Sequence, residues 1–426
     1  MGNRIEKKFD YKWVIAVMSF VTVFTILGFF GSMRSLSIAA ITEALPISRT
    51  RYAISDSVRY ITTSVANVFF GTLVAKFRHK KLIGAGFVCG IISCMLYAVS
   101  ESVFVFCLAG MFLGLCFAWT GTAMVGAVVG KWFRENRGSV MGVILAANGI
   151  GIAISTQIVS PIIYQEGNLF GYRSAYLLVA VILLVVGIVA MFLFKDKKDD
   201  GEVSTEKANK KRGRVWAGIE FDVLKKKWYF YGALFAIFIS GMILQSITSV
   251  ATPLMRDVGL PEAYVATNLS VHAIALTVFK IAVGVLYDKR GLRTTANLCF
   301  ITSVIVMLVL ANVTASPIGK VLAMTYSILS AFALPLETVM LPIFSGDLFG
   351  EAAYNKVLGL FTSACTLGFA CGAPITNLCF DLTGSYNIAI YIAAGVMLIA
   401  TVVMQFVISA SNKEKARIES EITSEN

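Results

Sequence analysis

Twelve mainly apolar stretches follow one another along this chain, each close to the roughly 20 residues a helix needs to cross a bilayer. They cover residues 13–35, 53–75, 82–99, 103–130, 138–163 and 175–194, then 228–252, 264–287, 294–313, 318–345, 354–379 and 387–408. No water-soluble fold could bury them all. The chain is 57% apolar and 15% charged, against about 45–50% and 25% in soluble domains, so lipid is the expected solvent for most of it. The first stretch is too long for a signal peptide, and no small-residue cleavage site precedes a soluble domain, so it reads as a retained helix.

A net charge of +12 over 426 residues would fit a nucleic-acid partner if it were clustered on one soluble face. It is instead distributed by side. Counting from a cytoplasmic amino terminus, the inner connections hold Lys76, Arg78, Lys80, Lys81, Lys131, Arg134, Arg137, Lys289, Arg290, Arg293 and the run 195–227. The outer ones hold only Arg34, Arg49, Arg51, Arg59, Arg173, Arg256 and Lys320. The asymmetry predicts a multi-pass protein of the cell (inner) membrane with both termini cytoplasmic, and nucleic acid is not needed to explain the charge. All eight cysteines fall within the apolar stretches and none forms a C-x-x-C pair. They read as packing residues, and no metal or cofactor is expected.

The longest polar connection divides the chain into an expected six-helix bundle at 1–194, a cytoplasmic linker at 195–227, a second six-helix bundle at 228–411 and a cytoplasmic tail at 412–426. Within the linker, 216–224 has the pattern of a short amphipathic helix lying on the membrane. Two landmarks repeat at one offset. Gly71 and Gly284 open basic turns about 213 residues apart, and Gly171-Tyr172-Arg173 is answered at the same offset by Gly384-Ser385-Tyr386. An internal duplication follows, with a path for solute expected between the halves near the bilayer midplane.

The turn between spans eight and nine reads Gly284-Val-Leu-Tyr-Asp288-Lys289-Arg290-Gly291-Leu-Arg293. It resembles the G-x-x-x-D-[RK]-x-G-x-[RK] signature of the major facilitator superfamily. The glycines allow close helix approach and a tight turn, and Asp288 is placed to cap a helix and pair with arginine while the inner gate is closed. The first-half counterpart has Ala75 where the aspartate would be, which predicts a weaker latch. Lys131-Trp132-Phe133-Arg134-Glu135-Asn136-Arg137-Gly138, with Gly142 following, resembles a segment of the monocarboxylate transporters and of the oxalate/formate antiporters. The resemblance implies an all-α membrane protein of twelve transmembrane helices in two pseudosymmetric bundles. It assigns Gly284, Asp288, Lys289, Gly291, Arg293, Arg134 and Arg137 to gating.

A charge deep in a helix costs at least about 2.5–3.5 kcal/mol on insertion scales, so each one needs a partner or a task. Lys280, one turn before Gly284, stands where the resembling families keep an arginine that binds the substrate carboxylate. Arg34 ends span one on the outer side, where the monocarboxylate transporters keep a lysine that receives the anion; snorkelling to the interface would explain it equally well. Asp56 and Arg59 are one turn apart and can simply pair with each other. Asn67, Trp119, Asn148 and Gln245 are further candidates for lining a path, and Asn67 lies about 213 residues before Lys280, as its pseudosymmetric partner. Glu337 and His272 are the candidates for carrying a coupling proton, although a salt bridge and a packing role, respectively, compete with that.

The resemblance therefore implies a transporter, not an enzyme: a monomer in the lipid bilayer that moves a small monocarboxylate-like organic anion, with a proton, by alternating access. Leu276 stands where the monocarboxylate transporters keep an aspartate, and the 357–375 stretch lacks the antiporters' second cation. The first departure leaves anion exchange as an alternative, and the second favours a monoanion. A non-transporting membrane sensor is the alternative of a different class, against which the intact gating motif argues.

Overall fold

A computed structural model describes residues 10–47, 49–133, 136–165, 168–195 and 218–424, and every regular element among them is a helix. Ten of these helices are long and apolar enough to cross a membrane. Two corrections bring that count to the twelve spans read from the sequence. The longest, Thr267–Ala311, is two spans that meet at Gly291. One further span begins with Arg49–Val68, whose Arg49, Arg51, Asp56 and Arg59 make it too polar to register by hydropathy. That polar span proves central to the candidate site.

Several spans are interrupted where the sequence requires it. Span one runs Lys12–Val23, passes through a π-turn at Phe24–Gly28 and resumes as Phe29–Ala44. Span four breaks at Gly121 between Val103–Thr120 and Thr122–Trp132. Span ten opens at Pro317 with Ser316 as N-cap, accepting from the Gly319 amide at 3.1 Å, and runs to Ala333. It then tightens into a 3-10 turn at Leu334–Glu337 before Met340–Phe349. Pro335 has no N–H to give the helix ladder and its ring crowds the preceding turn, so the chain loosens there. The interruptions of spans four and ten lie about 213 residues apart, so the duplication extends to helix breaks.

The packing repeats as well. In the first half span one lies on five, two on four, and three on six; in the second, seven lies on eleven, eight on ten, and nine on twelve. The halves meet along two seams, span five on eight and span two on eleven. At the first seam, a Cβ added to Gly284 would collide with the main-chain oxygen of Gly138. At the second, one on Gly71 would come within 2.7 Å of the backbone of Lys356. Only glycine lets main chains approach this closely. Further along, Gly142 abuts the carbonyl of Lys280, and Gly359 abuts that of Asn67. Lys280 and Asn67 thus hold equivalent places in the two seams. Lys76, Lys131, Arg137, Lys289 and Lys356 all mark the same end of the bundle, called here the basic end.

The turns after spans two and eight also correspond, but their residues do not. Gly291 turns with φ 76° and ψ 177°, whereas the equivalent Arg78 adopts φ 61° and ψ 163°. Glycine takes that conformation freely; for a side-chain-bearing residue it costs of order 1–3 kcal/mol. Replacing Arg78 with glycine should therefore raise the melting temperature of the purified protein, by the equivalent of about 1–3 kcal/mol. An unchanged or lower melting temperature would show that the arginine side chain contributes as much as its backbone costs.

Two expectations about the segments outside the bundles change. Residues 216 and 217 lie outside the described residues, and the helix expected over 216–224 is a single turn, Phe221–Leu224. It follows a clip in which the Ile219 amide donates to the Phe349 carbonyl at 3.1 Å. The tail does not separate from span twelve: one helix runs Asn387–Ser424, held near its end by a 3.0 Å ion pair between Lys227 and Glu414.

Candidate functional site

The polar helix Arg49–Val68 places Asp56, Arg59 and Tyr60 on one side of span two, facing Arg34 of span one. Asp56 is shared. Arg34 Nε donates to its Oδ2 at 2.7 Å and Arg59 Nε to its Oδ1 at 3.2 Å. Arg34 also reaches the Tyr60 hydroxyl at 3.3 Å. The Arg59 guanidinium lies 4.0 Å from the Tyr60 ring centroid and 5.2 Å from that of Phe117. Aromatic faces hold a guanidinium in place without neutralising it. By formal charge the trio is one positive unit in excess: Arg59 is 7% exposed and Asp56 18%, while Arg34 at 45% opens toward the surface.

These groups border a cavity of about 180 Å³ that every span of the first half helps to line, with Asn148 and Ile152 coming from span five and Tyr176 from span six. Among the described residues Asp56 is the only acid on its wall, and the buried Asn148 side-chain oxygen has no hydrogen-bond partner, a cost of about 1–3 kcal/mol that a bound donor or water would relieve. The cavity was expected between the halves; this one lies within the first.

Lys280 occupies a different place. It is buried in the seam between spans five and eight, its Nζ donating to the Leu145 carbonyl at 3.4 Å. The buried carboxyl of Glu337 sits near enough for the two charges to interact, yet among the described residues no ion pair joins them, and Glu337 Oε1 has no hydrogen-bond partner. The 3-10 turn at Leu334–Glu337 delivers that carboxyl. Leu145 and Asn148 are three residues apart on span five, about 4.5 Å of rise. The lysine is therefore tethered roughly one turn from a residue lining the cavity, without itself lining it.

His272 points elsewhere on span eight. Its Nδ1 lies 3.0 Å from both the Ser327 carbonyl oxygen and the Ser330 hydroxyl. A carbonyl can only accept, so Nδ1 carries a proton and donates. His272, Asn268 and Tyr326 line a second cavity of about 30 Å³. Arg59, Ser55 and Leu113 precede them by about 213 residues, so the two cavities are counterparts, one in each half. The repeat is the signal that could have singled out Arg59 in the sequence: it is the equivalent of the chosen His272. What the sequence hid was that Arg34 comes from another helix to the same aspartate.

Of the other candidates, Asn67 is buried in the two–eleven seam, and among the described residues neither its amide atoms nor the buried Trp119 Nε1 has a hydrogen-bond partner. Gln245 is half-buried on span seven, next to Ser246, which hydrogen-bonds Thr376. None of these lines the larger cavity.

At the basic end Asp288 accepts from the amides of Gly138 and Ser139 at 3.0 and 2.7 Å and from the Ser139 hydroxyl at 2.5 Å. It thereby caps span five from the opposite half, satisfying amides that the first helical turn cannot. Among the described residues no arginine is paired with it. Arg137 lies with its guanidinium carbon 4.4 Å from the Tyr354 ring centroid, and Tyr354 donates to the Gly126 carbonyl at 2.9 Å. Gly291 makes the turn, Lys289 and Arg293 are exposed, and Arg134 lies outside the described residues.

The family model of the Major Facilitator Superfamily matches residues 18–267 and 233–424. Monocarboxylate transporter 13 of Bos taurus is 26% identical over 397 residues, covering 91% of this chain and 87% of that protein. The uncharacterized MFS-type transporter YcxA of Bacillus subtilis (strain 168) is 20% identical over 284 residues, 66% of this chain and 67% of its own length. Among solved structures, the proton:xylose symporter XylE superposes with a TM-score of 0.75 at 14% identity, over 93% of this chain and 96% of that one. With the family model spanning both halves, and with two six-helix bundles that repeat down to their helix breaks, the chain belongs to the major facilitator superfamily.

Proposed function

We propose that this transporter carries a small organic monoanion, received at Arg34 and Arg59 and passed to Lys280 as the two seams rearrange. The observation that carries the reading is the excess of positive charge at the cavity wall: two guanidinium groups share one carboxylate. Such a site leaves unmet hydrogen-bonding and Coulombic capacity for one carboxylate, and a second charge on the solute would have no partner. The similarity to monocarboxylate transporter 13 supports the same class.

Proton coupling is the favoured mode, because Glu337 keeps an unpartnered oxygen beside Lys280. With the proton on Glu337, Lys280 is free to hold the anion; with the proton gone, the carboxylate competes for it. The basic end faces the cytoplasm in this scheme, and the cap at Asp288 holds that side closed. Proteoliposomes loaded with an unlabelled monocarboxylate and given an imposed pH gradient test it. Uptake of labelled anion should follow the gradient in the native protein and lose that dependence in Glu337→Gln, while exchange at equal pH persists. Lys280→Gln should lower both modes by on the order of 10–100-fold, the loss of about 1.5–3 kcal/mol from a hydrogen bond to a charged group. Uptake blind to the gradient in the native protein would make it an exchanger, and an active Lys280→Gln variant would remove the lysine from the path.

A further inference from the structure

The cavity at Arg34 and Arg59 has a second property that charge alone does not explain. Opposite and around the guanidinium groups stand six aromatic rings, Phe30, Tyr52, Tyr60, Tyr97, Phe117 and Tyr176. Several are braced by one another: Tyr97 stacks on Tyr176 with centroids 4.8 Å apart and planes 10° from parallel, and Phe30 meets Phe117 edge-on at 6.0 Å. Rings fixed in this way present rigid walls at small entropic cost on binding. A site built for a short hydroxy or keto acid would need polar groups around the whole solute. Here the charged groups gather at one wall, and Leu27, Leu113 and Ile152 join the ring faces to form the apolar part.

Length and volume narrow the solute. Leu27, Phe30, Gly31 and Arg34 all line the cavity from span one, at the i, i+3, i+4, i+7 spacing of a single helix face. From Leu27 to Arg34 that face rises about 10 Å, longer than a two- or three-carbon acid. An apolar cavity of about 150 Å³ takes up benzene, and a water occupies about 30 Å³. The cavity of about 180 Å³ therefore matches one aromatic ring bearing one carboxylate. Its counterpart in the second half, at about 30 Å³ and with His272 in place of Arg59, has room for little more than a water.

Resting on the anion reading above, we infer that the solute of this transporter is a monocarboxylate on a single aromatic ring, its carboxylate at Arg34 and Arg59 and its ring against Leu27, Phe30, Leu113 and Ile152. The site reads the ring as well as the charge. The single surplus charge favours a monocarboxylate over a dicarboxylate, and the volume favours one ring over two.

The test is competition against labelled benzoate uptake in proteoliposomes containing the full chain, with benzoate, acetate, lactate, benzyl alcohol and naphthoate as unlabelled probes. Thermal shift of the purified protein with the same five compounds gives a second readout. Benzoate should bind at least tenfold more tightly than acetate or lactate, and more tightly than benzyl alcohol or naphthoate. Leu113→Trp, which fills the apolar part, should weaken benzoate at least tenfold and narrow its lead over acetate. The native selectivity stands as the test if that variant fails to fold. Acetate or lactate matching benzoate would overturn the aromatic assignment and leave the anion reading intact. Benzyl alcohol matching benzoate, or no carboxylate binding at all, would bring down both.

Discussion

Replacing Arg59 with glutamine should lower anion uptake by on the order of 10–100-fold, with the protein still folded. Glutamine keeps much of the length of the side chain and can still donate to Asp56, so the local structure retains a bond, but the formal balance of the trio falls from a surplus to zero. A hydrogen bond to a charged group contributes about 1.5–3 kcal/mol, which sets the size of the expected loss. Arg34→Gln should have a smaller effect, because Arg34 is 45% exposed and water screens it. The ordering of the two is the discriminating measurement. Initial uptake rates across a concentration series, together with melting temperatures, separate loss of binding from loss of fold. An Arg59→Gln protein that is stable and transports normally would show that the guanidinium only braces span two.

Gly284→Leu should have an effect of similar size for a steric reason. Even a Cβ at this position runs into the Gly138 main chain, and the rest of a leucine side chain has nowhere to go while spans five and eight touch. Overpacking of this kind costs about 1–3 kcal/mol, and here the seam can avoid the cost by opening at the basic end. Transport that requires both ends to close in turn then falls by on the order of 10–100-fold. Met141, on span five beside this contact and fully buried, reports the opening. In a background with the eight native cysteines replaced, Met141→Cys should react with a membrane-impermeant maleimide only when Gly284→Leu is also present, in vesicles that expose the basic end. Retained uptake with an unreactive cysteine would mean that the seam accommodates leucine and that the glycine contact is not part of closing.

The two predictions also mark where the sequence was informative. Gly284 was legible because its role is local: a motif fixes its place in a turn, and a turn between two helices must bring backbones together. The twelve spans were legible for a related reason, since crossing lipid imposes length and apolarity on each segment separately. Span two, read at 53–75, is the most polar of them, and that polarity marks it as the helix that carries Asp56 and Arg59. Arg59 read as the partner of its neighbour because i, i+3 spacing is visible in the chain, whereas the approach of Arg34 from another helix is not. Lys280 was noticed for being charged in an apolar stretch, and it is indeed buried. That its ammonium would lie in the five–eight seam, one turn from the larger cavity, depended on which face of span eight meets span five. No pattern in span eight alone fixes that. The strained turn at Arg78 was hidden for a different reason: a left-handed backbone is written in the sequence only where a glycine marks it, as Gly291 does, and an arginine there gives no sign.

The tether of Lys280 is a carbonyl of the main chain, at Leu145. Every amino acid carries that same oxygen, so drift in the side chains of span five cannot cut the tether, and a mutational scan of the helix would pass over it in silence. What can change is the far end. The cation is free to acquire or lose its acidic neighbour on span ten while its resting place stays fixed, so the charge balance at this depth can change without rebuilding the seam.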